Sequence, residues 1–334
     1  MSIRVMMMGL GPIGAAVARQ VADRKGLKIV AAVDIDPAKV GKDLGELLGL
    51  GKRLGVKVTA DAAPALRATR PDVAVLCTSS SLRRVLPQFE TVLKARVPIV
   101  STTEELAYPW RSQRALASKL DKLARKAKAA VVGTGVNPGF AMDALPITLT
   151  GICERVDTVR VDRIQDARMR RLPFQKKIGA GMTPEQFAEQ VREGTVRHVG
   201  LAESIAMIGD ALGWQLDRIT DEIASKIAGQ PVQSEFLRVE RGQVCGILQD
   251  GTGYRNGQAV IVLHMEAYLG APETYDAITI AGSPNLRLRA EGGFHGDIAT
   301  ASITVNTIPK VLDAAPGLHT MRTLPIPSFF GGKR

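Results

Sequence analysis

Two adjacent glutamates, Glu104 and Glu105, follow a short apolar segment in the stretch "VPIVSTTEEL". In nucleotide-binding folds, ligands sit at the ends of buried strands, so a carboxylate placed there can take up and return a proton. The alternative is structural, because Thr102 or Thr103 can begin a helix whose positive end favours acidic residues. That alternative explains one glutamate comfortably and leaves the other to be explained. We expect at least one of them to act as an acid/base, with Glu104, nearer the strand end, as first candidate and Glu105 as second.

A glycine-rich segment near the N-terminus, "GLGPIG", matches the G-x-G-x-x-G pattern through Gly9, Gly11 and Gly14, with Pro12 and Ile13 inside it. It lies between an apolar strand pattern and a helix pattern. In such a motif the first glycine allows a tight turn, the second lets the backbone approach a pyrophosphate, and the third lets helix and strand pack closely. The N–H groups at the start of the helix then bind the phosphates. These five residues are therefore predicted to bind a dinucleotide.

An aspartate stands where the ribose of such a cofactor is expected. Asp34 ends the predicted strand "LKIVAAVDID", 20 residues beyond Gly14, the distance at which a carboxylate meets the adenosine 2′-hydroxyl. A carboxylate would repel a 2′-phosphate, which favours NAD over NADP. Lys39 and Lys42 follow closely and could soften this preference, so dual use stays open. The structural alternative is that Asp34 is a turn residue of "DIDP".

Strand and helix patterns alternate through the first half of the chain, as in a parallel, doubly wound sheet. The carboxyl ends of parallel strands share one edge, so polar residues at those ends should line the cofactor crevice. The strand ends that form this crevice carry Thr78, Ser79, Ser80, Ser101, Thr102, Thr103, Gly133, Thr134 and Gly135, of which the first six are the candidate cofactor contacts.

The composition shifts after the segment "GTGVNPGF". We predict an α/β fold, with a dinucleotide-binding Rossmann domain over residues 1–140 and a substrate-binding and dimerisation domain over residues 141–304. The second domain is expected to be α+β with an open mixed or antiparallel sheet, and residues 305–334 to pack back on the first domain.

The bulk composition limits the class of partner. The chain has 334 residues and a net charge of +11, but only 4% aromatic residues, and its basic residues are dispersed, which favours an anionic small molecule over nucleic acid. The three cysteines lack metal or disulfide spacing and indicate reduced thiols in the cytoplasm. The apolar N-terminus imitates a secretory signal, but its glycines are better explained by the dinucleotide motif. Neither a metal motif, a nucleophile elbow nor a P-loop is found in the sequence, so redox chemistry is favoured over acyl or phosphoryl transfer.

Several longer blocks carry a resemblance that is more specific than the glycine turn. They are "VDIDPAKVGKDLGE", "STTEELAYPW", "GTGVNPGFAMDALP", "RRLPFQKKIGAG" and "GGFHGDIATASITVNTIPKVLDAAPGL". With "GLGPIG" they resemble the 2,4-diaminopentanoate dehydrogenase and native amine dehydrogenase family, whose nucleotide domain is similar to that of dihydrodipicolinate reductase. The resemblance runs over nearly the whole chain. Dihydrodipicolinate reductase itself is disfavoured, because its histidine-pair and lysine signature is missing.

The resemblance implies oxidative deamination of a small amine, or of a 2,4-diaminopentanoate-like substrate, to a ketone plus ammonia, with NAD(P)+ as hydride acceptor and reductive amination in reverse. It also implies a homodimer and a glutamate just after the strand end that handles the amine. Independently of the resemblance, a carboxylate buried near a cofactor would have a raised pKa, which suits an acid/base.

The remaining candidates concern the nicotinamide and the substrate. Asn137 is expected to hydrogen-bond the nicotinamide carboxamide or the substrate, and Phe140 and Met142 to supply apolar wall, although both could equally be core residues. The basic stretch 168–177, beginning with Arg168, could hold a substrate carboxylate or be a solvated or dimer-facing surface. His295 could reach the substrate or be a structural histidine.

Two alternatives to an amine dehydrogenase are open from the sequence. One is an NAD(P)-dependent reductase of a hydroxy, aldehyde or cyclic imine substrate. The other is a non-catalytic NAD-binding sensor, which the double glutamate argues against, because a sensor needs no group that moves protons.

Overall fold

The computed structural model describes residues 2–331. Its strands and helices are numbered in the order in which they occur along the chain. The strands are β1 (Ile3–Met8), β2 (Leu27–Val33), β3 (Val58–Thr59), β4 (Val73–Leu76), β5 (Ile99–Ser101), β6 (Ala130–Gly133), β7 (Arg155–Asp166), β8 (Arg218–Ile227), β9 (Val232–Gln233), β10 (Arg238–Val239), β11 (Val244–Arg255), β12 (Gln258–Tyr268), β13 (Tyr275–Ser283), β14 (Leu286–Glu291) and β15 (Gly317–His319). The helices are α1 (Pro12–Asp23), α2 (Leu44–Leu47), α3 (Ala62–Thr69), α4 (Leu82–Lys94), α5 (Arg114–Ala127), α6 (Ala144–Thr150), α7 (Leu172–Lys177), α8 (Pro184–Arg192), α9 (Leu201–Ala211) and α10 (Gly296–Leu312), with 3₁₀ turns at Glu104–Leu106 and Ala167–Met169.

The chain divides into two compact units. The first contains the residues up to 140 and those from 295 onward, and the second contains residues 141–294. The chain returns to the first unit at His295, ten residues before the boundary expected from the sequence. The reason is that α10 is one continuous helix, capped by His295, and its first residues belong to the same body as its last.

The first unit is built on a parallel sheet with the order β15-β6-β5-β4-β1-β2-β3. The strand order reverses between β1 and β4, and in such sheets a ligand binds outside the carboxyl ends at this point. Strand β4 is buried along its whole length, as expected when helices cover both faces. The doubly wound sheet predicted from the strand–helix alternation is confirmed.

Helices of the first unit dock through apolar stripes. In α4, Leu82, Val85 and Phe89 recur at spacings of three and four residues and are buried, so they share one face of the helix. Helix α10 lies against α1, where the amide of Gln20 donates to the Ser302 hydroxyl at 3.0 Å.

The second unit contains a six-stranded sheet with the order β14-β13-β7-β12-β11-β8. Its neighbours pair antiparallel except β7 and β12, which are parallel, so the sheet is mixed. Helix α9 packs closely on one face of this sheet, at two glycines of β11. A Cβ added at Gly251 or Gly253 would lie 2.8 Å or 2.7 Å from side-chain atoms of Ile205 in α9. The α+β domain with an open mixed sheet is thus confirmed. No helix within residues 2–331 is long and apolar enough to cross a membrane.

Candidate active site

The glycine turn joins β1 to α1 at the point where the strand order reverses. Gly9 has φ +84°, and a Cβ there would lie 2.6 Å from the carbonyl oxygen of Cys77. A Cβ at Gly14 would overlap the carbonyl oxygen of Gly9, because helix and turn are packed backbone to backbone. At Gly11, in contrast, a Cβ would meet nothing within 4 Å. The three glycines therefore meet the requirements of a dinucleotide cradle: a left-handed turn, close packing, and open space where a pyrophosphate can approach.

The start of α1 is arranged to bind an anion. Gly11 occupies the N-cap without a capping side chain, and Pro12, which has no N–H group, is the first helical residue. Because glycine has no side chain, Gly11 cannot cap the backbone N–H group of Ile13. Such an uncapped helix start, with its positive dipole end, stabilises bound phosphate.

Asp34 follows β2 and is tied to the glycine turn. Its carboxylate accepts from the backbone N–H groups of Leu10 at 2.6 Å and Asp36 at 2.9 Å, and Lys39 Nζ lies 3.2 Å away. Burial acts to raise the pKa of Asp34, but these hydrogen bonds and Lys39 together hold that pKa below its usual value. Asp34 is therefore ionised at neutral pH, as a carboxylate that accepts from ribose hydroxyls must be.

The hydroxyl residues at the ends of β4 and β5 divide into two groups. Ser101 donates to the carbonyl oxygen of Leu76 at 2.9 Å, and Thr103 to that of Ser79 at 2.9 Å, so both buried hydroxyls brace the backbone. Thr78 is exposed and donates to the side chain of Gln88 at 2.8 Å. The remaining members, Ser79, Ser80 and Thr102, are half-buried at the same sheet edge.

Glu104 and Glu105 lie on the 3₁₀ turn directly after β5, and their environments differ. The Glu105 carboxylate accepts from the N–H group of Leu82, the first residue of α4, at 2.8 Å and from the amide of Gln113 at 2.7 Å. Glu105 thus caps α4. Glu104 is half-buried on the same turn, at the carboxyl edge of the sheet and level with the end of β5.

The loop after β6 packs tightly against this turn. A Cβ at Gly133 would lie 2.7 Å from the backbone of Leu106, and one at Gly139 (φ +124°) would lie 2.5 Å from the amide nitrogen of Gly135. Asn137 is buried in this loop, and Phe140, at its end, is half-buried. The structure therefore brings the β6 loop and Glu104 to one edge of the first unit.

His295 is exposed at the start of α10, where its Nδ1 accepts from the backbone N–H group of Ile298 at 3.5 Å. This is a helix-cap position.

The two candidates of the second unit occupy different surroundings. Met142 is fully buried. Arg168 is exposed and pairs with Asp166 at 2.6 Å. The basic stretch that begins with Arg168 is not a uniform patch, because Arg170 is buried, donates to Gln165 at 2.9 Å and stacks on the ring of Phe174 at 4.0 Å.

A buried ion pair in the second unit was not anticipated from the sequence. Arg163 on β7 pairs with Asp276 on β13, and each side chain is 3% exposed. Both side chains bind the backbone of Phe294. Arg163 donates to the carbonyl oxygen of Phe294 at 2.8 Å, and the N–H group of Phe294 donates to Asp276 at 2.7 Å. Burial lowers the pKa of Arg163, and the adjacent Asp276 opposes this. The available signal was the alternation of β7, where Arg163 falls in phase with the inward-facing Val159 and Val161.

Among the described residues no group of three or more His, Cys, Asp or Glu side chains is placed to hold a metal ion. The thiol of Cys77, beside the glycine turn, is neutral at physiological pH, because burial raises its pKa to about 11.

Comparison with known proteins decides the family. The family model "2,4-diaminopentanoate dehydrogenase C-terminal domain" matches residues 140–333, and "Dihydrodipicolinate reductase, N-terminus" matches residues 3–132. The chain belongs to the 2,4-diaminopentanoate dehydrogenase family. A curated 2,4-diaminopentanoate dehydrogenase from Acetoanaerobium sticklandii is 33% identical over 97% of this chain and 94% of that protein. The family resemblance predicted from the sequence motifs is confirmed.

Other members support the same assignment. An amine dehydrogenase from Streptomyces virginiae is 24% identical over 97% of this chain and 96% of its own length. The solved amine dehydrogenase of Mycobacterium smegmatis has 30% identity and a TM-score of 0.88, covering 99% of this chain and 98% of that one. The predicted fold class is confirmed by this similarity, and the predicted enzyme class, a nucleotide-dependent oxidoreductase, is that of the family.

Proposed function

We propose that the protein is an NAD(P)-dependent amine dehydrogenase, which oxidises a small primary amine to a ketone plus ammonia and catalyses reductive amination in reverse. Three observations support this: the family membership, the dinucleotide cradle at Gly9, Gly11 and Gly14, and a glutamate at the same sheet edge.

The observation that carries the proposal is the different surroundings of the two glutamates. The Glu105 carboxylate accepts hydrogen bonds from the backbone N–H group of Leu82 at 2.8 Å and from the side-chain amide of Gln113 at 2.7 Å. A carboxylate held by a helix N-terminus and a side-chain amide is fixed in place by those hydrogen bonds, which supports a structural role for Glu105. Glu104 is therefore the proposed acid/base, and Glu105 the residue that holds the turn in place.

Glu104 would act first on the ammonium group of the substrate. An amine releases hydride from its carbon only when its nitrogen is neutral, because the nitrogen lone pair must form the C=N bond as the hydride leaves. Glu104 takes the ammonium proton and releases it to solvent, and the regenerated carboxylate then stabilises the iminium cation that forms. The cofactor, when bound, supplies the hydride acceptor.

Hydrolysis requires the same residue again. Glu104 takes a proton from water as the oxygen adds to the iminium carbon, and returns a proton to nitrogen as the C–N bond breaks. The products are the ketone and ammonium. In the direction of reductive amination the steps reverse, and Glu104 protonates the carbinolamine hydroxyl, which leaves as water as the iminium forms.

The proposed cofactor contacts are the residues predicted from the sequence, and NAD is the preferred form. They are Gly9, Gly11, Pro12, Ile13, Gly14, Asp34, Lys39, Thr78, Ser79, Ser80, Ser101, Thr102, Thr103 and Asn137. Asp34 is ionised and would repel a 2′-phosphate, while Lys39, now paired with it, is within reach to offset that charge. Dissociation constants of NAD+ and NADP+ for the wild type and Asp34→Ser test this, and no gain in relative NADP+ affinity would contradict it.

The substrate contacts stay proposals. Phe140 and Met142 are the apolar candidates, and Arg168 and His295 the polar ones. Because Arg168 is already paired with Asp166, an amine without a carboxylate is favoured over a carboxylated one. A KM comparison between ketones with and without a carboxylate distinguishes the two.

We propose a cytoplasmic homodimer that associates through the open face of the six-stranded sheet. Exposed charges of both signs alternate on that face, among them Arg160, Glu222 and Arg289. With strands about 4.8 Å apart and residues about 3.3 Å apart, the face covers roughly 950 Å², comparable to the roughly 800 Å² that a specific dimer buries per partner. Sedimentation velocity of the wild type and Arg160→Glu tests the interface, and an unchanged dimer in the variant would refute it.

The decisive assay follows NADH absorbance with ammonium and a panel of small ketones. Glu104→Gln should lose about 10²- to 10⁴-fold in kcat while keeping the NADH dissociation constant, because only the proton transfer is removed. Glu105→Gln, the matched control, should keep kcat within about threefold and unfold at a lower temperature, since it weakens the cap of α4. Ketone reduction that does not depend on ammonium, or full activity in Glu104→Gln, would contradict the proposal and favour a reductase acting on other substrates.

A further inference from the structure

Thr134 stands directly after β6, at one of the strand ends predicted to line the cofactor crevice. Its backbone N–H group donates to the carbonyl oxygen of Ser101 at 2.8 Å, which places it level with the end of β5. Its side chain is therefore held by a fixed backbone at the carboxyl edge of the parallel sheet.

The hydroxyl of Thr134 is buried and lacks a hydrogen-bond partner among the residues that the structure describes, and the residue is 3% exposed. A buried hydroxyl without a partner is unfavourable, and native proteins keep few of them. The packing gives it little freedom to move, since a Cβ at Gly139 would lie 3.0 Å from the Cα of Thr134.

The strand order indicates which half of a dinucleotide reaches this point. The pyrophosphate cradle is at the end of β1, and Asp34, the ribose candidate, is at the end of β2. The adenosine half therefore lies on the β2 side, and the nicotinamide half on the opposite side, toward β4, β5 and β6.

We propose that the Thr134 hydroxyl is a hydrogen-bond partner of the nicotinamide carboxamide of NAD(P). A threonine hydroxyl both donates and accepts, so it matches the carbonyl oxygen or the NH2 group of that amide. The inference rests on dinucleotide binding alone and does not require that the substrate be an amine.

The structure offers a matched control. Thr320 follows β15, the strand beyond β6, and is also 3% exposed with a buried, unpartnered hydroxyl in the described part of the chain. It lies one strand, about 4.8 Å, farther from the cradle. Thr134 and Thr320 thus share burial and chemistry and differ in their position along the sheet edge.

The test measures NADH and ADP-ribose dissociation constants and the melting temperature of the ligand-free protein. For Thr134→Val we expect NADH to bind about 5- to 10-fold more weakly, as for one lost hydrogen bond, with ADP-ribose binding unchanged because it lacks nicotinamide. The ligand-free protein should melt no lower than the wild type. Thr134→Ser should restore NADH binding, and Thr320→Val should leave it unchanged.

Each other outcome overturns the proposal. An unchanged NADH dissociation constant in Thr134→Val, with or without a lower melting temperature, would make the hydroxyl purely structural. Equal losses for NADH and ADP-ribose would indicate a distorted cradle rather than a lost nicotinamide contact. Because these are binding measurements, they are independent of whether the enzyme turns over any amine.

Discussion

Replacing Asp276 by alanine should strongly destabilise the second unit. Asp276 is the carboxylate partner of Arg163, and both side chains are 3% exposed. It also accepts from the N–H group of Phe294 at 2.7 Å. In Asp276→Ala the guanidinium stays buried with its hydrogen bond to the Phe294 carbonyl oxygen but without a counter-charge.

The magnitude follows from burial. Removing one partner of a buried ion pair costs about 3–5 kcal/mol, because an uncompensated charge stays in the interior. For a unit of about 150 residues, 1 kcal/mol corresponds to roughly 2–4 °C, so the melting temperature should fall by about 6–20 °C. An exposed pair on the same strand is the control: Arg155 and Asp157 are 2.9 Å apart, with side chains 65% and 50% exposed. Asp157→Ala should cost less than about 1 kcal/mol.

Tryptophan fluorescence can report the second unit separately. The chain has two tryptophans, Trp110 in the first unit and Trp214 in the second, so a Trp110→Phe background leaves Trp214 as the reporter. Urea titrations in that background should give the predicted order of midpoints. The double variant Arg163→Met/Asp276→Leu should regain much of the loss, because no buried charge is left unpaired. A loss below about 1 kcal/mol in Asp276→Ala would refute the reasoning.

Two further predictions concern the glycine turn and one histidine. Gly11→Ala should melt like the wild type but bind NADH at least 10-fold more weakly, because its Cβ fills open space at the cradle. Gly14→Ala should be destabilised by about 1–3 kcal/mol, because its Cβ overpacks the turn. Equal melting temperatures of the Gly11→Ala and Gly14→Ala variants would contradict this. Burial acts to lower the pKa of His264, but hydrogen bonds to Asp250 at 2.7 Å and Glu266 at 3.0 Å raise it above its usual value. The contribution of His264 to the free energy of unfolding should therefore be fully present below about pH 6.5, the unfolded value, and be lost, by about 1 kcal/mol or less, as the pH rises through the raised pKa. His264→Gln should lack this decline, and the same decline in both proteins would exclude His264 as its source.

Features that depend on neighbours in the sequence were predictable. The glycine turn is one, because Gly9, Gly11 and Gly14 act on the backbone within a single turn, and the spacing to Asp34 reflects one helix and one strand. The alternation of strands and helices likewise predicted the doubly wound sheet. The expected return to the first domain at residue 305 falls inside α10, because the pattern of the helix does not reveal to which body its first turns belong.

The sequence by itself determined the family, the fold class and a pair of glutamates at one strand end. It could not separate Glu104 from Glu105, because two adjacent identical residues differ only in what folding brings to them. Glu105 accepts from the first N–H group of α4, at Leu82, and this contact supports the proposal that Glu104 is the acid/base. The ion pair of Arg163 and Asp276, 113 residues apart, was likewise decided by the tertiary structure alone, as was the lack of a hydrogen-bond partner for the Thr134 hydroxyl among residues 2–331. The physical reason is common to all: a polar group's role depends on which donors and acceptors lie within about 3 Å, and those come from distant parts of the chain.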